Sequence, residues 1–599
     1  MEITNYLNII PENTKNILED YQKEGITQMI LRLESKVNGC ILADEMGLGK
    51  TLQTICVIIY YLNKDPKLKF LIIAPKTIIP VWKAQLTKYA PNLFYYIFKG
   101  NREELNMTKA NIILTTYPRV VSEFKHEKNV NDDKKTEFLQ NQCFFMIILD
   151  EGHKIKNELT AVSKSVKNLK GNKKIIITGT PMENHFNDFI SLVDFIHKDY
   201  LHRFKIIFKK YSEKEKYKIA EDKNQTMVKN SIEEIRKIIQ IFVVRRNQSD
   251  VLPLPLLNIS EIKSTLTSIQ KKFLAIWGYG KKDYNQSYLE LLKASRLEIW
   301  KNFWKFYLTL HDEELKRHVM EELKDIAPIK MANKVLLLFQ HPVIMFPETS
   351  DFNDSNKTIA LLEKMKEIPK HEKIIVFASS PILLDMLAKE LKKNHINAYL
   401  ITGRENSLEK RAHIVKMFQT NEIQKDEKGN IMENDPLYYQ VALISIRVGS
   451  CGIDLTRANN VFFLCVPWTY TETYQAICRV YRRGQIRPVN VYMMLLEDTC
   501  EIDIYNRSLN LYNLFTSLFN KLDFFPNDIE TINSYFDQQI IANKAYTEKM
   551  ELDFKREILK YVNYKKKHIS KKNYDNILNS VKESEMHQFY EFKKLRNRL

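Results

Sequence analysis

The chain has 599 residues, of which 44 % are hydrophobic and 11 % aromatic, and it carries 91 lysines and arginines against 73 aspartates and glutamates. This length excludes a single hydrophobic core, so we expect about two to four domains. The net charge of +18 favours a polyanionic partner such as nucleic acid, although a lysine-rich soluble surface explains it equally well.

The seven cysteines are scattered along the chain, and none forms a C-x-x-C pair. This pattern is typical of reduced cysteine in an intracellular protein, rather than of a disulfide framework or a zinc site. No apolar run approaches the roughly 18 residues that a membrane span needs. The first ten residues contain Glu2 and no basic region, so we do not expect a signal peptide.

The first chemically informative position is Gln22, which lies in a stretch with the pattern of an amphipathic helix pair over residues 16–34. A glutamine side chain can both donate and accept hydrogen bonds, as reading the edge of an adenine requires. Considered alone, the stretch is explained more simply by a solvated glutamine.

A glycine-rich turn follows the apolar run 40–42 and precedes a helical pattern. Such a turn directs backbone N–H groups at one point, where the helix N-terminus adds a partial positive charge. The expected nucleotide-binding residues are Asp44, Glu45, Met46, Gly47, Leu48, Gly49, Lys50 and Thr51. Lys50 can reach the β- and γ-phosphates, and the Thr51 hydroxyl can bind Mg²⁺. Because Asp44 stands where the general pattern has glycine, an ordinary tight turn is the alternative.

Four apolar runs then alternate with helical patterns: 70–74, 111–115, 145–149 and 174–177. Continuous apolar strands that alternate with helices predict a parallel sheet covered on both faces. Functional loops of such sheets lie at the carboxyl ends of the strands.

Polar side chains occur at those strand ends. Asp150 follows the third run and can hold Mg²⁺, while its neighbour Glu151 can orient an attacking water. Thr178 and Thr180 follow the fourth run and can sense a γ-phosphate. The alternatives are a carboxylate pair that caps the next helix and a simple strand-end turn.

Residues 195–350 change character and predict a lysine-rich helical insertion and linker. Within it, Val243–Arg246 is followed by Pro253 and Pro255, which break any helix and mark a chain crossing. The aromatic residues of this stretch favour a core over a base-stacking platform; they are Phe204, Tyr211, Trp277, Trp300, Trp304 and Tyr307.

A second alternating unit begins near residue 355, with apolar runs at 374–377, 398–401, 441–444, 461–464 and 489–493. It carries no second phosphate loop, and residues 420–438 predict an exposed loop. Arg479 and Arg482 are three residues apart and are expected on one face of a helix. There they would supply cations across a cleft, which as arginine fingers are worth about 10³- to 10⁵-fold in rate. A solvated basic face is the alternative.

These motifs in this order resemble the Swi/Snf-type DNA-dependent ATPases of helicase superfamily two, over residues 16–505. The motifs are the Gln22 stretch, ADEMGLGKT, LIIAP, TTYP, DEGHKIKN, TGTPMEN, VVRRNQSDVLP, SIRVGSCGIDLT and QAICRVYRRGQ. The resemblance implies an α/β fold with two RecA-like parallel-sheet lobes, a helical insertion between them and a helical C-terminal tail. The implied boundaries are 1–195 for the first lobe, 196–350 for the insertion and linker, 351–510 for the second lobe and 511–599 for a basic extension.

The resemblance also implies ATP and Mg²⁺ as ligands. By position, Gln22 would read adenine, Lys50 and Thr51 would hold phosphate and Mg²⁺, and Asp150 and Glu151 would serve metal and water. Arg479 and Arg482 would be the arginine fingers. Coupling of the lobes is expected from His153, Thr178, Thr180 and Gln475.

The expected partner is double-stranded DNA, with nucleosomes or transcription and repair proteins as candidates and no membrane. The expected location is the nucleus, or the cytoplasmic site of a DNA virus, because the short form resembles both repair-branch and viral global-transactivator-like members. The basic run 565–572 fits a nuclear address, a phosphate-binding strip or a solvated helix end equally.

Five departures from the family pattern bear on efficiency and DNA coupling. The run 467–470 keeps only the first aromatic of a common Pro-Trp-Trp-Asn, and 449–452 is less glycine-rich than usual. The other three are single residues: Cys478 replaces a usual glycine, Tyr481 a usual histidine and Glu183 a usual glutamine. Since the chemical groups remain, we expect an ATP-driven motor on duplex DNA. The alternatives are a strand-separating helicase or RNA-directed NTPase on the same scaffold, and a catalytically silent nucleic-acid-binding scaffold.

Overall fold

Two parallel β-sheets organise the computed structural model of this protein. The structure describes residues 6, 11–100, 110–127, 139, 141–183, 186–201, 236–276, 335–345, 347, 350–403, 408–420, 438–446, 453–519 and 528–541. Several predicted features lie outside these residues: the six aromatic residues of the insertion, most of the loop 420–438, residues 447–452 of the SIRVGSCGIDLT motif and the basic run 565–572.

The first lobe contains a seven-stranded sheet in the order β3-β4-β2-β5-β6-β1-β7. Its strands are β1 (Gly39–Leu42), β2 (Phe70–Ala74), β3 (Tyr95–Ile97), β4 (Ile112–Thr116), β5 (Cys143–Asp150), β6 (Lys170–Ile177) and β7 (Val243–Val244). Its helices are α1 (Glu12–Lys15), α2 (Asp20–Glu34), α3 (Lys50–Lys64), α4 (Ile79–Tyr89), α5 (Tyr117–Glu127), α6 (Ala161–Lys167) and α7 (Phe186–Ile196). All neighbouring strands pair in parallel, so the carboxyl ends of β1, β5 and β6 share one edge.

The second lobe contains a six-stranded parallel sheet in the order β10-β11-β9-β12-β13-β8. Its strands are β8 (Leu257–Ser264), β9 (Lys373–Ala378), β10 (Ala398–Ile401), β11 (Val441–Ser445), β12 (Ala458–Phe463) and β13 (Val489–Leu496). The helices after β7 are α8 (Gln248–Val251), α9 (Ser268–Ile276), α10 (Asn356–Glu367), α11 (Pro381–Lys393), α12 (Leu408–Thr420), α13 (Tyr470–Ile477) and α14 (Cys500–Phe519).

The predicted α/β fold with two parallel-sheet lobes is confirmed. Strands such as β2 and β9 are buried along their whole length, because helices cover both faces of each sheet. Separate hydrophobic clusters lie on the two faces of the first sheet. This burial explains why continuous apolar runs, rather than alternating ones, marked the strands in the sequence.

One stretch that we assigned to the helical insertion has a different structure. Residues 257–264 form β8, which pairs with β13 at the edge of the second sheet. Most of its side chains are exposed, so the strand lacks the apolar run that marked the buried strands in the sequence. The short strands β3 and β7 were not predicted as strands either. The chain therefore passes from the first sheet at Val244 to the second sheet at Leu257.

Helix α14 contacts the cores of both lobes. Its first half, including Ile504 and Tyr505, belongs to the second-lobe cluster, whereas Phe515 and Phe519 near its end belong to a first-lobe cluster. Beyond it, residues 529–541 are helical, and Phe536 stacks on Tyr200 of the first lobe. The domain boundaries drawn from the sequence stay a prediction, but this part of the extension packs into the first lobe.

Among the described residues, no helix is both long enough and apolar enough for a membrane crossing.

Candidate functional site

The glycine-rich turn lies between the end of β1 at Leu42 and the start of α3 at Lys50. Gly47 and Gly49 have φ angles of +87° and +76°, a region that strains residues with a Cβ atom. A Cβ on Gly49 would also lie 2.3 Å from Gln22 Nε2. The turn therefore needs glycine at both positions, and it forms the concave backbone that suits a phosphate group.

Gln22 is buried against this turn. Its Nε2 donates to the Leu48 carbonyl at 3.2 Å, and its Oε1 accepts from the Glu19 backbone N–H at 3.1 Å. The structure thus brings Gln22 to the phosphate loop, but both ends of its amide are bonded within the protein. Its predicted role in reading adenine stays a prediction.

Lys50 is directed back into the loop that precedes it. Its Nζ donates to the carbonyls of Asp44 at 2.8 Å and Glu45 at 3.0 Å. Burial lowers the pKa of Lys50, and the charges of Glu151, Asp44 and Asp150 oppose this shift. The lysine therefore sits among the predicted carboxylates, held by neutral carbonyls that a phosphate could replace. Thr51 follows in the first turn of α3.

Asp150 ends β5 with its side chain almost fully buried, at 6 % exposure. Its Oδ2 accepts from Trp82 Nε1 at 2.7 Å, and its Oδ1 accepts from the Glu151 backbone N–H at 2.9 Å. Burial and the charge of Glu151 raise the pKa of Asp150, against the hydrogen bond from Trp82 and the charge of Lys50. A bound cation would favour the ionised carboxylate.

Glu151 has a φ angle of +52°, although it is not glycine. Strained conformations of this kind cost about 1–3 kcal/mol and cluster at functional sites. Burial opposes ionisation of Glu151, but the hydrogen bond and charge of His153, together with the charges of Lys50 and Arg479, lower its pKa. Glu151 is therefore an ionised carboxylate that can accept a proton.

His153 links two strand ends. Its Nδ1 lies 3.3 Å from Glu151 Oε2 and 3.4 Å from Thr178 Oγ1 at the end of β6. Burial would lower the pKa of His153, but the hydrogen bond and charge of Glu151 and the charge of Glu183 raise it. The Thr180 backbone N–H donates to Thr178 Oγ1 at 3.2 Å, so these predicted coupling residues form one cluster. Gln475 lies apart from this cluster in sequence, on α13 of the second lobe.

The second lobe contacts the phosphate loop directly. Tyr474 Oη lies 3.4 Å from both carboxylate oxygens of Glu45, to which it donates. Arg482 Cβ lies 3.8 Å from the position that a Cβ on Gly47 would take. Arg483 Nη2 lies 2.9 Å from Glu19 Oε1. The turn that carries the predicted arginine fingers thus faces the turn that carries Lys50.

The prediction that Arg479 and Arg482 lie on a helix is wrong. Helix α13 ends at Ile477, and the Arg479 N–H bonds to the Ala476 carbonyl in a tighter, three-residue turn. The Arg479 carbonyl accepts from the Leu455 N–H at 2.9 Å. In a continued helix, the Arg479 carbonyl would instead accept from the backbone N–H of residue 483. This tertiary hydrogen bond fixes the arginines in a turn.

The donor set fits a nucleotide with Mg²⁺. Magnesium prefers oxygen ligands, and in nucleotide sites it is held by one or two protein groups together with phosphate oxygens. Thr51 and Asp150 provide a hydroxyl and a carboxylate beside the half-buried Lys50. Within the described ranges, no group of three His, Cys, Asp or Glu side chains could hold a metal ion by itself.

Comparison with known proteins places the whole arrangement in one family. Residues 21–310 match the model of the SNF2-related domain, and residues 356–484 match that of the helicase conserved C-terminal domain. This chain belongs to the SNF2 family. Its SNF2-related part therefore contains the phosphate loop and the carboxylates, whereas its helicase C-terminal part contains Arg479 and Arg482.

Relatives of this SNF2-family chain include the ATP-dependent helicase fft1 of Schizosaccharomyces pombe, 26 % identical and covering 84 % of this chain and 53 % of the relative. The ATP-dependent DNA helicase DDM1 of Arabidopsis thaliana is 25 % identical, and the match covers 84 % of this chain and 62 % of the relative. The chain thus spans little more than half of the length of these relatives. The Sulfolobus solfataricus SWI2/SNF2 ATPase core in complex with dsDNA is 24 % identical, with a TM-score of 0.38, and covers 87 % of this chain and 95 % of that one.

Sequence reasoning missed two arginines of this SNF2-family site, which it noted only as part of a chain crossing. Arg246 forms an ion pair with Asp44, and its Nε donates to Asp44 Oδ1 at 3.0 Å. Arg245 donates to the carbonyls of Ala43 at 2.8 Å and Gly179 at 3.0 Å, and it lies 3.4 Å from Glu45. Asp44 and Glu45 are thus bound to the linker, which accounts for an acid where the general pattern has glycine. Their predicted contribution to nucleotide binding stays a prediction.

The three single-residue departures from the usual SNF2 pattern are accommodated in the structure. Cys478 and Tyr481 are buried in the second lobe at 2 % and 9 % exposure. Glu183 forms an ion pair with Lys156, so its charge is compensated. Two of the three lie near the phosphate loop: the charges of Glu45 and Lys50 act on the Cys478 thiol, whose pKa burial raises, and the charge of Glu45 acts on Tyr481.

Proposed function

We propose that this chain is a DNA-dependent ATPase that translocates along double-stranded DNA and thereby remodels protein–DNA complexes. The observation that carries the proposal is the approach of the second-lobe turn at Arg482 to the phosphate loop at Gly47, beside Lys50. One nucleotide could then contact both lobes. Family membership supports ATP use, and the net charge of +18 supports an anionic polymer as partner.

The proposed hydrolysis uses charges that are already in place. Lys50 and the backbone N–H groups of the loop bind the β- and γ-phosphates. Thr51 and Asp150 would hold Mg²⁺, which supplies positive charge to the phosphate oxygens. Glu151 orients a water and accepts its proton as the oxygen attacks the γ-phosphorus and the bond to the β–γ bridging oxygen breaks. ADP and inorganic phosphate are released.

Two contacts would transmit the nucleotide state to the second lobe. Arg479 and Arg482 would stabilise the negative charge of the transferred phosphoryl group. The two arginines therefore favour closure of the lobes only while the γ-phosphoryl group is bound. Tyr474 connects the second lobe to Glu45 of the loop. In the first lobe, His153, Thr178 and Thr180 are proposed to sense the γ-phosphate, and Gln475 to respond across the cleft. Repeated closure and reopening would advance the protein along the DNA backbone.

The test is steady-state ATP hydrolysis by the full chain with duplex DNA, single-stranded DNA and RNA at equal nucleotide concentrations, with Lys50→Ala as the control for contaminating ATPases. We expect duplex DNA to stimulate hydrolysis most. DNA binding should weaken steeply with salt, because phosphate contacts release counterions. Nucleosomal DNA in the same assay tests nucleosomes as a candidate partner.

Other outcomes of this assay would replace the proposal. Stronger stimulation by RNA would favour an RNA-directed NTPase, and displacement of a labelled strand would favour a strand-separating helicase. Hydrolysis that does not exceed the Lys50→Ala background with any polymer would favour a silent scaffold. The nuclear location stays a prediction.

A further inference from the structure

Trp82 is a buried residue next to the candidate metal ligand that the mechanism above does not use. It lies on α4 with no exposed surface, and its Nε1 donates to Asp150 Oδ2 at 2.7 Å. An indole N–H is a donor only and usually finds an acceptor when it is buried. Here the acceptor is the single carboxylate expected to bind Mg²⁺.

The two oxygens of Asp150 are held by different donors. Oδ2 accepts from the Trp82 side chain, while Oδ1 accepts from the Glu151 backbone N–H at 2.9 Å. A backbone donor fixes one end of the carboxylate, and the indole fixes the other, so that rotation about the side chain is restricted. Each carboxylate oxygen has about two lone-pair sites, so one on each oxygen is left for another ligand.

Packing holds the indole in place independently of this hydrogen bond. Trp82 belongs to the same hydrophobic cluster as Leu52 and Ile55, which lie on α3, the helix that begins at Lys50. Met146 and Ile148 of β5 are also in this cluster. The indole therefore contacts the core shared by the helix that follows the phosphate loop and the strand that carries Asp150.

We propose that Trp82 is a positioning residue that holds the Asp150 carboxylate in the orientation that binds Mg²⁺. The proposal rests on the proposed function, because it requires Asp150 to be a metal ligand. Hydrogen bonds to metal-binding carboxylates orient the ligand, and their loss typically costs about 10- to 100-fold in metal affinity or activity. The competing explanation is that Trp82 only fills the core and satisfies its N–H with the nearest acceptor.

The chain offers a matched control at the same aspartate. Tyr117 is buried at 4 % exposure, and its hydroxyl donates to the Asp150 backbone carbonyl at 2.8 Å. Tyr117→Phe removes one buried hydrogen bond to Asp150 without touching the carboxylate. Trp82→Phe removes the bond to the carboxylate and keeps an aromatic ring in the core. Both variants should lose thermal stability, so stability alone does not distinguish the two explanations.

The distinguishing measurement is binding of a fluorescent ADP, followed by polarisation, as free Mg²⁺ is titrated. In Trp82→Phe we expect the Mg²⁺ concentration that gives half of the maximal increase in ADP binding to rise about 10- to 100-fold. The affinity for ADP in EDTA should be unchanged. In Tyr117→Phe it should stay within about 3-fold of the wild type, since the carboxylate keeps both of its donors. Mn²⁺ binding measured by electron paramagnetic resonance should show the same order.

Three results would overturn the proposal, and they separate it from the proposed function. If the wild type requires Mg²⁺ and Trp82→Phe has the same Mg²⁺ dependence, Trp82 does not position the carboxylate, although the proposed function survives. If Trp82→Phe and Tyr117→Phe weaken Mg²⁺ binding equally, Trp82 likewise has no specific positioning role, and the proposed function survives. If the wild type binds nucleotide without any Mg²⁺ dependence, the proposed metal role of Asp150 fails, and the role of Trp82 fails with it.

Discussion

Glu151→Gln is expected to lower kcat for ATP hydrolysis by about 10²- to 10⁴-fold while ATP stays bound. Glutamine has almost the same shape as glutamate, but it cannot accept the proton of the attacking water. The carboxyl of Glu151 has a lowered pKa because His153, Lys50 and Arg479 favour its charged form despite burial. It is therefore ionised at neutral pH, and the variant removes the group that we propose as the proton acceptor. Single-turnover hydrolysis with a parallel ATP-binding measurement checks both parts of the expectation.

The matched control for Glu151→Gln is Glu183→Gln. Glu183 is a second carboxylate whose charge raises the pKa of His153, and it pairs with Lys156. It lies in the loop after β6, where it contacts Thr180 Oγ1 at 3.5 Å. An amide can keep this contact, and glutamine is the usual residue at this position, so the amide variant should hydrolyse ATP within about 10-fold of the wild type. Brisk turnover by Glu151→Gln, or an equal loss in both variants, would refute the role assigned to Glu151.

Arg479→Ala is expected to reduce kcat by about 10³- to 10⁵-fold, which corresponds to roughly 4–7 kcal/mol of activation free energy. The guanidinium group would stabilise charge on the phosphoryl group chiefly in the transition state. Nucleotide affinity should therefore stay near normal while kcat falls, and this division between binding and turnover is the signature to measure.

Arg483→Ala provides the control for Arg479→Ala. Arg483 lies four positions along the same turn, but it is exposed and forms an ion pair with Glu19 of the first lobe. Exposed ion pairs contribute little, with a median of about 0–1 kcal/mol, so its loss should change turnover only by a few fold. Equal losses of kcat in the two variants would mean that the turn contributes only general positive charge and that Arg479 has no specific role in the transition state.

The features that sequence reasoning recovered are those whose signal is local. The central strands of both sheets appear as short apolar runs, because they are buried on both faces, whereas the half-buried edge strand β3 (Tyr95–Ile97) was not predicted. The phosphate loop appears as glycines at two positions where the backbone has positive φ, directly before Lys50. The carboxylates Asp150 and Glu151 appear because parallel strands bring functional residues to their carboxyl ends.

The features that it missed depend on contacts between distant residues. Arg246 and Asp44 are 202 positions apart, and no local pattern pairs them. The bond from Leu455 that turns the chain at Arg479 is equally invisible in the sequence. Helix α14 has an ordinary helical pattern, which cannot reveal that its two ends pack into different lobes. β8 escaped notice because an exposed edge strand needs no apolar run.

The central claim is that the two lobes close on one nucleotide so that the second-lobe turn faces the phosphate loop. The Glu19–Arg483 pair, with 2.9 Å between Oε1 and Nη2, allows a direct test without altering a proposed catalytic group. The variant with both Glu19→Cys and Arg483→Cys is treated with a short bifunctional thiol reagent in the presence of Mg²⁺ and a non-hydrolysable ATP analogue. We expect efficient cross-linking within one molecule, whereas each single variant, which keeps the exposed Cys143, should give none. A double variant that cross-links no more than the single variants under these conditions would contradict the shared site.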